Sequence, residues 1–536
     1  MALLGSLSQF RAFASSQQTV ALVLLVLITA CAVARSFNKK YNLPNLVPGL
    51  PLIGNAHQIP LHDSCLYFQT LAKKYGEMFT IRIGGTYWVF LNSRRVATEL
   101  LDKRAAIYSS RMNLPMAYEV ISHRNRTLLM PYGDLWRRQR KVMHQILNSN
   151  QQNIFLPSQD IESKALLANY LERPEHWYRA HGAFSGSVIM SVVFGRRAGL
   201  DDQNMQDSLS VSEEFVNYLA PGRALVDHFP FLIKIPWFKS LQPWRWYGDD
   251  LYRRTRRIYK KELDSLRERI KDGSQKPCFM SQFLDLGKDQ EFEEDQLLFM
   301  GGALMEAGTD TTRVSLDQCV AAAVVWPDWV ERARQQLDRI CGANAERLPT
   351  SQDAPDLPLI KAAVKESVRW KPVIGETGIP HASIKDDEFE GYTIPAGTIV
   401  TYNHWAISNS EDEYEQPERF WPERFVNEDL DKPLKGHLGF GAGKHHLNIS
   451  DQGTDLGKPL LGRRVCVGYN VANTNLFIAL ARLLYCFDFS AVDESPIDTT
   501  RPLNTVDSVP VFKVKIKVRT EAHRKLIERE CTGFRL

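Results

Sequence analysis

A single cysteine lies in a glycine-rich turn near the end of the chain. The turn consists of two stretches, Phe440-Gly441-Ala442-Gly443 and Arg463-Arg464-Val465-Cys466-Val467-Gly468. An apolar run over 471–484 predicts a helix directly behind it, and the start of a helix favours an ionised thiol. The two arginines add positive charge. An ionised thiol is the kind of soft ligand that iron accepts. The alternative is a buried structural cysteine.

An acid and several hydroxyl groups lie in the middle of a long apolar segment. Residues 295–325 predict one continuous helix, which contains Ala307-Gly308-Thr309-Asp310-Thr311-Thr312. Buried polar side chains cost free energy unless they serve a function. Thr311 can also hydrogen-bond to a carbonyl one turn back and bend the helix. A helix-capping cluster is the alternative, but it would break the helix here, whereas the apolar pattern continues to Val325.

Two other predicted helices carry pairs of side chains at helical spacing. Trp136 and Arg140 are four residues apart, and Glu366 and Arg369 are three apart. Side chains at these spacings lie on the same face of a helix, where a glutamate and an arginine form an ion pair. Taken alone, the Trp136–Arg140 pair is more often part of an ordinary helix surface, and surface Glu–Arg pairs at this spacing are abundant.

Together these residues resemble the motifs of a known family. With the residues between Gly443 and Arg463 set aside, the turn resembles the signature Phe-x-x-Gly-x-Arg-x-Cys-x-Gly of the haem-thiolate monooxygenases, the cytochrome P-450 family. The centre of the long helix resembles that family's Ala/Gly-Gly-x-Asp/Glu-Thr motif. The resemblance implies haem b with the Cys466 thiolate as axial ligand of its iron. It also implies that Asp310 and Thr311 relay protons during oxygen activation.

The same resemblance implies roles for the other residues. In the family, a Trp-x-x-x-Arg helix and a downstream His or Arg hold the haem propionates, and a Glu-x-x-Arg helix joins the arginine of a Pro-Glu-Arg-Phe string. Two such strings occur here, at 417–420 and 422–425, and the second is nearer the turn. The implied cofactor-binding residues are Cys466, Trp136, Arg140, His381, Phe440, Arg464 and Gly468, and the implied network is Glu366, Arg369 and Arg424.

The resemblance also implies a function. It covers about residues 48–512, and within the family the chain is similar to fungal microsomal enzymes of the O-methylsterigmatocystin oxidoreductase group. We expect one oxygen atom from dioxygen to enter a lipophilic substrate, in secondary metabolism or xenobiotic oxidation. Because the chain has no flavin or nucleotide motif, its electrons should come from NADPH through a membrane-bound cytochrome reductase. The alternative of a reductase-independent peroxide rearrangement is disfavoured by the Asp310–Thr311 pair.

The start of the chain predicts a membrane anchor. Residues 19–34 are uncharged and almost wholly apolar, although a spanning helix typically needs about 20 residues. Positive charges follow this run, which places the remainder in the cytosol; a cleaved signal peptide is the alternative. We expect a short lumenal segment 1–18, an anchor 19–34 in the endoplasmic reticulum membrane, a basic, proline-rich hinge 35–60 and a cytosolic catalytic domain 61–536.

A polar segment interrupts the glycine-rich turn. Residues 444–462 read KHHLNISDQGTDLGKPLLG, and their removal would join Gly443 to Arg463 and restore the signature. A retained intron and a genuine surface insertion are the two explanations. A genuine insertion should weaken haem binding. A haem-deficient, inactive anchored family member is therefore the alternative function.

Composition and patterning define the elements that must position these residues. The 536 residues carry a formal net charge of +4, which gives no indication of nucleic-acid binding. Eight cysteines without CxxC spacing indicate a reducing compartment. A hairpin is predicted over 78–83 and 87–91, and strands over 391–402. Helices are predicted over 132–147, 295–325, 357–370 and 471–484. The predicted fold class is mainly α with a small β region, a cytochrome P-450 fold preceded by one N-terminal transmembrane helix.

Overall fold

The fold is seen in a computed structural model of the chain. It describes residues 41–51, 53–60, 62–148, 153–199, 201–219, 224–228, 233, 242–288, 291–374, 379–442, 463–492, 497–503 and 512–534. The predicted anchor over 19–34 and the interruption over 444–462 lie outside these residues. Within them, no helix combines the length and the apolar character that crossing a membrane requires.

Helices make up most of the described chain. In chain order they are α1 (Ser64–Tyr75), α2 (Arg94–Ala97), α3 (Ala105–Tyr108), α4 (Asp134–Ile146), α5 (Leu156–Glu172), α6 (Trp177–Phe194), α7 (Gln203–Asn217), α8 (Leu225–His228), α9 (Pro243–Lys271), α10 (Phe279–Leu286), α11 (Glu294–Val325), α12 (Pro327–Cys341), α13 (Pro358–Trp370), α14 (His404–Ser408), α15 (Tyr469–Cys486) and α16 (Glu521–Cys531). All four helices predicted from the sequence are present as α4, α11, α13 and α15.

The long helix α11 has clear sequence signals at both ends. A capping box joins Glu293 and Gln296 at its start, which satisfies amide groups that have no partner inside the helix. It ends at Val325, because Pro327 begins α12 and disfavours a helical conformation for the residue before it. The helix runs unbroken through Asp310 and Thr311. The prediction of a continuous helix is confirmed, and the capping-cluster alternative is wrong.

The described strands form one five-stranded sheet and two two-stranded antiparallel sheets. The larger sheet has the order β1 (Met78–Ile83), β2 (Thr86–Leu91), β7 (Ile399–Tyr402), β4 (His381–Ala382) and β3 (Ser110–Arg111), and the small sheets pair β5 (Asp387–Phe389) with β6 (Tyr392–Ile394) and β8 (Phe487–Ala491) with β9 (Val514–Val518). The predicted hairpin is confirmed as the antiparallel pair of β1 and β2. The pairing of β3 with β4 sets Arg111 opposite His381, which matters for the site.

The apolar core lies around α11. This helix packs against α6, α9 and α15, and α15 follows the glycine-rich turn directly. Gly302 permits one of these contacts, because a Cβ atom there would lie 2.2 Å from the ring of Tyr259 on α9. The described chain is thus mainly helical with a small β region, as the sequence predicts.

Candidate functional site

The two stretches of the glycine-rich turn are in contact. The amide of Cys466 donates to the carbonyl oxygen of Phe440 at 2.9 Å. Gly441 has φ +93°, which favours glycine, and a Cβ atom there would lie 3.6 Å from the carbonyl oxygen of Arg464. Gly468 precedes α15 and places its amide close to the Cys466 sulfur. The backbone around Cys466 therefore adopts a closed turn, although residues 444–462 separate its two stretches in sequence.

The thiol of Cys466 is accessible to solvent but closely surrounded by protein. Burial raises its pKa, and the Gly468 amide and the Arg140 cation lower it by less. This corrects the prediction that the helix start and the neighbouring arginines ionise the free thiol. The guanidinium of Arg463 lies 4.8 Å from the ring of Tyr132 and that of Arg464 lies 4.1 Å from Trp136. A metal cation at the sulfur would supply the missing charge, because coordination deprotonates a thiol.

Three arginines gather beside this turn. Arg140 donates to the carbonyl oxygen of Val465 at 2.5 Å, and Arg464 donates to those of Ser109 and Met130 at 2.8 and 2.7 Å. Arg111 donates to carbonyl groups that precede His381. Among the residues that the structure describes, no carboxylate lies within 4.0 Å of any of these three guanidinium groups.

The electrostatics of this group indicate a missing anion. Burial lowers the pKa of all three guanidinium groups, to about 10 for Arg111 and Arg140, and neighbouring cations lower the pKa of Arg111 and Arg464 further. Burial, with Arg111 and Arg464, also lowers the pKa of His381, whose Nδ1 lies 2.7 Å from the Tyr108 carbonyl oxygen. Buried like charges are unfavourable without a counter-ion. A ligand with carboxylate groups, such as the propionates of haem, fits these cations.

Asp310 and Thr311 lie on α11 as the sequence predicts. The Thr311 hydroxyl donates to the carbonyl oxygen of Ala307 at 2.8 Å, and Ala307 is exposed. Burial raises the pKa of the Asp310 carboxyl, although Arg313 forms an ion pair with it at 3.0 Å. Gly308 lies against α6, because a Cβ atom there would lie 2.5 Å from the Ile189 side chain of that helix. The open side of this helix turn is therefore at Ala307 and Thr311.

The predicted network behind the turn is formed by the expected side chains. Arg369 donates to both carboxylate oxygens of Glu366, at 2.7 and 2.8 Å, and Arg424 donates to one of them at 3.2 Å. In the competing string, Arg419 pairs with Asp328 instead. The helix of this network, α13, also packs against the turn. A Cβ atom at Gly439 would lie 1.9 Å from a side-chain atom of Val368, which lies on α13 between Glu366 and Arg369.

The sequence alone does not single out two features of the site. One is Arg111, which follows Tyr108-Ser109-Ser110 in the chain and which the structure pairs with His381 on the neighbouring strand. The other feature is a buried ion pair between Arg126 and Glu306, with Tyr259 donating to the second carboxylate oxygen. Its partners are 180 residues apart in the chain. Only the folded structure can bring such a pair to notice.

Comparison with known proteins identifies the family that has this arrangement. The family profile described as Cytochrome P450 matches residues 44–446. The chain belongs to the cytochrome P450 family. It is 34% identical over 456 residues to the cytochrome P450 monooxygenase fogE of Aspergillus ruber, covering 83% of this chain and 80% of that protein. It is 34% identical over 504 residues to the cytochrome P450 monooxygenase aneD of Aspergillus aculeatus, covering 92% and 91%.

A solved structure supports the fold of this cytochrome P450. A zebrafish cytochrome P450 whose structure contains abiraterone superposes with a TM-score of 0.63 at 22% identity, covering 85% of this chain and all of that one. The family implies haem with a thiolate ligand, and the accessible thiol and the carboxylate-free arginines fit that group. The family match ends at 446, inside the interruption. The assignment of Cys466 therefore rests on its signature and on the closed turn.

Proposed function

We propose that this cytochrome P450 is an NADPH- and dioxygen-dependent monooxygenase. It inserts one oxygen atom into a lipophilic organic substrate, in fungal secondary metabolism or xenobiotic oxidation. The observation that carries the proposal is the accessible Cys466 thiol beside three half-buried arginines that lack carboxylate partners in the described chain. Support also comes from fungal relatives that are named monooxygenases.

The chain's own residues divide the work of binding. Haem, when bound, supplies the iron that activates dioxygen. Cys466 offers its sulfur to the metal, and Gly468 and Phe440 hold the turn that fixes it. Arg111, Arg140 and Arg464, with Trp136 and His381 beside them, offer donors and positive charge to two carboxylates.

Asp310 and Thr311 are proposed to handle protons. A carboxyl whose pKa is raised by burial holds a proton more readily than one in water. The Thr311 hydroxyl next to it donates to the Ala307 carbonyl oxygen, and its oxygen can accept a hydrogen bond from a neighbour. The exposed position of Ala307 leaves space on this face of α11 for the reacting molecules.

The proposal includes a location and a redox partner. Residues 19–34 would anchor the chain in the endoplasmic reticulum membrane, with 1–18 in the lumen and the domain over 61–536 in the cytosol beyond the hinge 35–60. A membrane-bound NADPH–cytochrome reductase would supply electrons. The full chain should stay on membranes during carbonate washing, and removal of residues 1–40 should release it. Continued membrane retention of that variant would contradict the anchor.

A spectrum of the reduced, carbon-monoxide-treated protein tests the central claim. An intact thiolate ligand gives the red-shifted Soret band that is typical of the family. Incubation of the membrane-bound protein with lipophilic compounds, NADPH and reductase should then give oxygenated products. Product formed without NADPH would contradict a reductase-dependent reaction. Absence of the band would favour the haem-deficient, inactive alternative, but the completed contacts of the Cys466 turn favour haem binding.

A further inference from the structure

Three buried titratable side chains form a chain of hydrogen bonds that the proposed mechanism does not use. The Nδ1 atom of His181 lies 2.6 Å from the carboxylate of Asp317, and the Tyr170 hydroxyl lies 2.6 Å from His181 Nε2. Taken as whole residues, Tyr170, His181 and Asp317 are each at most 3% exposed. They come from three helices, with Tyr170 on α5, His181 on α6 and Asp317 on α11. Buried polar groups are costly unless they are fully paired, so this triad calls for a reason.

The triad is linked to the proposed proton relay through Arg313. Arg313 lies three residues after Asp310 and four before Asp317 on α11, so both carboxylates are within its reach on one helix face. Its guanidinium pairs with Asp310 at 3.0 Å. Its positive charge also acts on Asp317, although their atoms are not within ion-pair distance. Of these two carboxylates, Arg313 is therefore paired with Asp310.

The reason for this choice lies in the surroundings of the two carboxylates. The Asp317 side chain is 5% exposed, and the Asp310 side chain is 33% exposed. A deeply buried carboxylate without a donor costs far more than a partly exposed one. Asp317 does not need Arg313, because His181 already occupies its Oδ1 atom. The Arg313 guanidinium lies 5.2 Å from the ring of Tyr178, and a Cβ atom added at Gly182 would lie 3.6 Å from the Arg313 side chain, so Arg313 packs against α6 beside His181.

We propose that His181 and Asp317 are positioning residues that keep Arg313 paired with Asp310. If Asp317 loses the His181 ring, Arg313 moves to Asp317 and leaves Asp310 without its cation. A change at Asp317, one to two helix turns beyond Thr311, then alters the charge next to Thr311. The catalytic consequence rests on the proposed role of Asp310, but the exchange of partners does not.

A pair of His181 variants tests the exchange directly. In His181→Gln the side-chain amide can still donate to Asp317, so Arg313 should stay on Asp310. In His181→Leu the donor is lost, and a structure of the holoenzyme should show Arg313 paired with Asp317. Arg313 remaining on Asp310 in His181→Leu would overturn the proposal. A lost carbon-monoxide band in the unmodified protein would instead contradict the proposed function alone.

A double-mutant cycle in the holoenzyme tests the same exchange with nearly isosteric changes. Asp310→Asn leaves Arg313 with Asp317 as a second partner, and Asp317→Asn leaves it with Asp310. The double variant removes both carboxylates. The drop in its apparent unfolding temperature should therefore exceed the sum of the two single drops by about 2–4 °C. The control combines Asp317→Asn with Asp338→Asn. Because Asp338 pairs with Arg519 and not with Arg313, the effects of these two substitutions on the unfolding temperature should be additive. Additivity in the Asp310 cycle would also overturn the proposal.

Discussion

Cys466 and the arginines beside it are complementary to one ligand. Burial raises the pKa of the thiol and lowers the pKa of the guanidinium groups, so it disfavours the ionised form of both. A metal bound through a thiolate and carrying carboxylates satisfies both. Cys466→Ala should therefore leave a folded protein that binds little haem, because the arginines alone cannot fix the iron. Haem content per chain and the carbon monoxide spectrum measure this.

Cys341→Ala is the matched control for that variant. Cys341 is also unpaired but is buried at the end of α12, away from the turn. Its removal should leave haem content and spectrum unchanged, with at most a small loss of stability. A normal thiolate spectrum in Cys466→Ala would show that another residue is the ligand.

Thr311 and Thr309 separate the chemical role of a hydroxyl from its structural role. Both hydroxyls donate to a carbonyl four residues back at 2.8 Å, but Thr309 is buried whereas Thr311 lies beside the exposed Ala307. Thr311→Ala should keep haem and lose about 1 kcal/mol of stability or less. A larger share of NADPH electrons should then leave as hydrogen peroxide. Thr309→Ala should show the same small stability loss without uncoupling; equal coupling in both would remove Thr311 from the relay.

The Glu366 network stabilises the contact between α13 and the turn at Pro422–Phe425. Glu366 and Arg369 are fully buried and Arg424 nearly so. Glu366→Leu leaves two buried arginines without a carboxylate and should cost about 3–5 kcal/mol, seen as a lower unfolding temperature and poor haem retention. Glu423→Leu is the control. Glu423 lies in the same turn, but its pair with Arg332 is partly exposed and should be worth about 0–1 kcal/mol. Equal losses in both variants would contradict a special role for the network.

The elements that carry the site follow closely from the sequence. The helix predicted over 357–370 is Pro358–Trp370 in the structure, and the one predicted over 295–325 is Glu294–Val325. Apolar periodicity, proline at helix starts and the capping box are local signals, so they can be read from the chain. The pairing of Arg126 with Glu306 and of His181 with Asp317 depends on helix packing. No local pattern distinguishes these side chains from surface ones.

At the scale of the whole molecule, the interruption is a question of loop closure. The described turn is closed by the Cys466–Phe440 hydrogen bond and by the contact between Gly441 and Arg464. Holding the ends of a loop of about 20 residues together costs on the order of 2–3 kcal/mol. That cost is small beside the burial of a large core, so the fold can persist. It acts on the turn itself, where a metal ligand displaced by about 1 Å loses much of its function.

The last prediction compares the chain as written with a variant lacking residues 444–462. In that variant Gly443 joins Arg463, and we expect the Cys466–Phe440 hydrogen bond and the contact between Gly441 and Arg464 to be retained. Removal of a closure cost of about 2–3 kcal/mol should raise haem affinity about tenfold or more. Haem titration of both proteins measures this, and the transcript supplies an independent check, because a spliced message would join these two codons. Full haem occupancy of the long form, with only the unspliced message present, would show that the segment is real and tolerated.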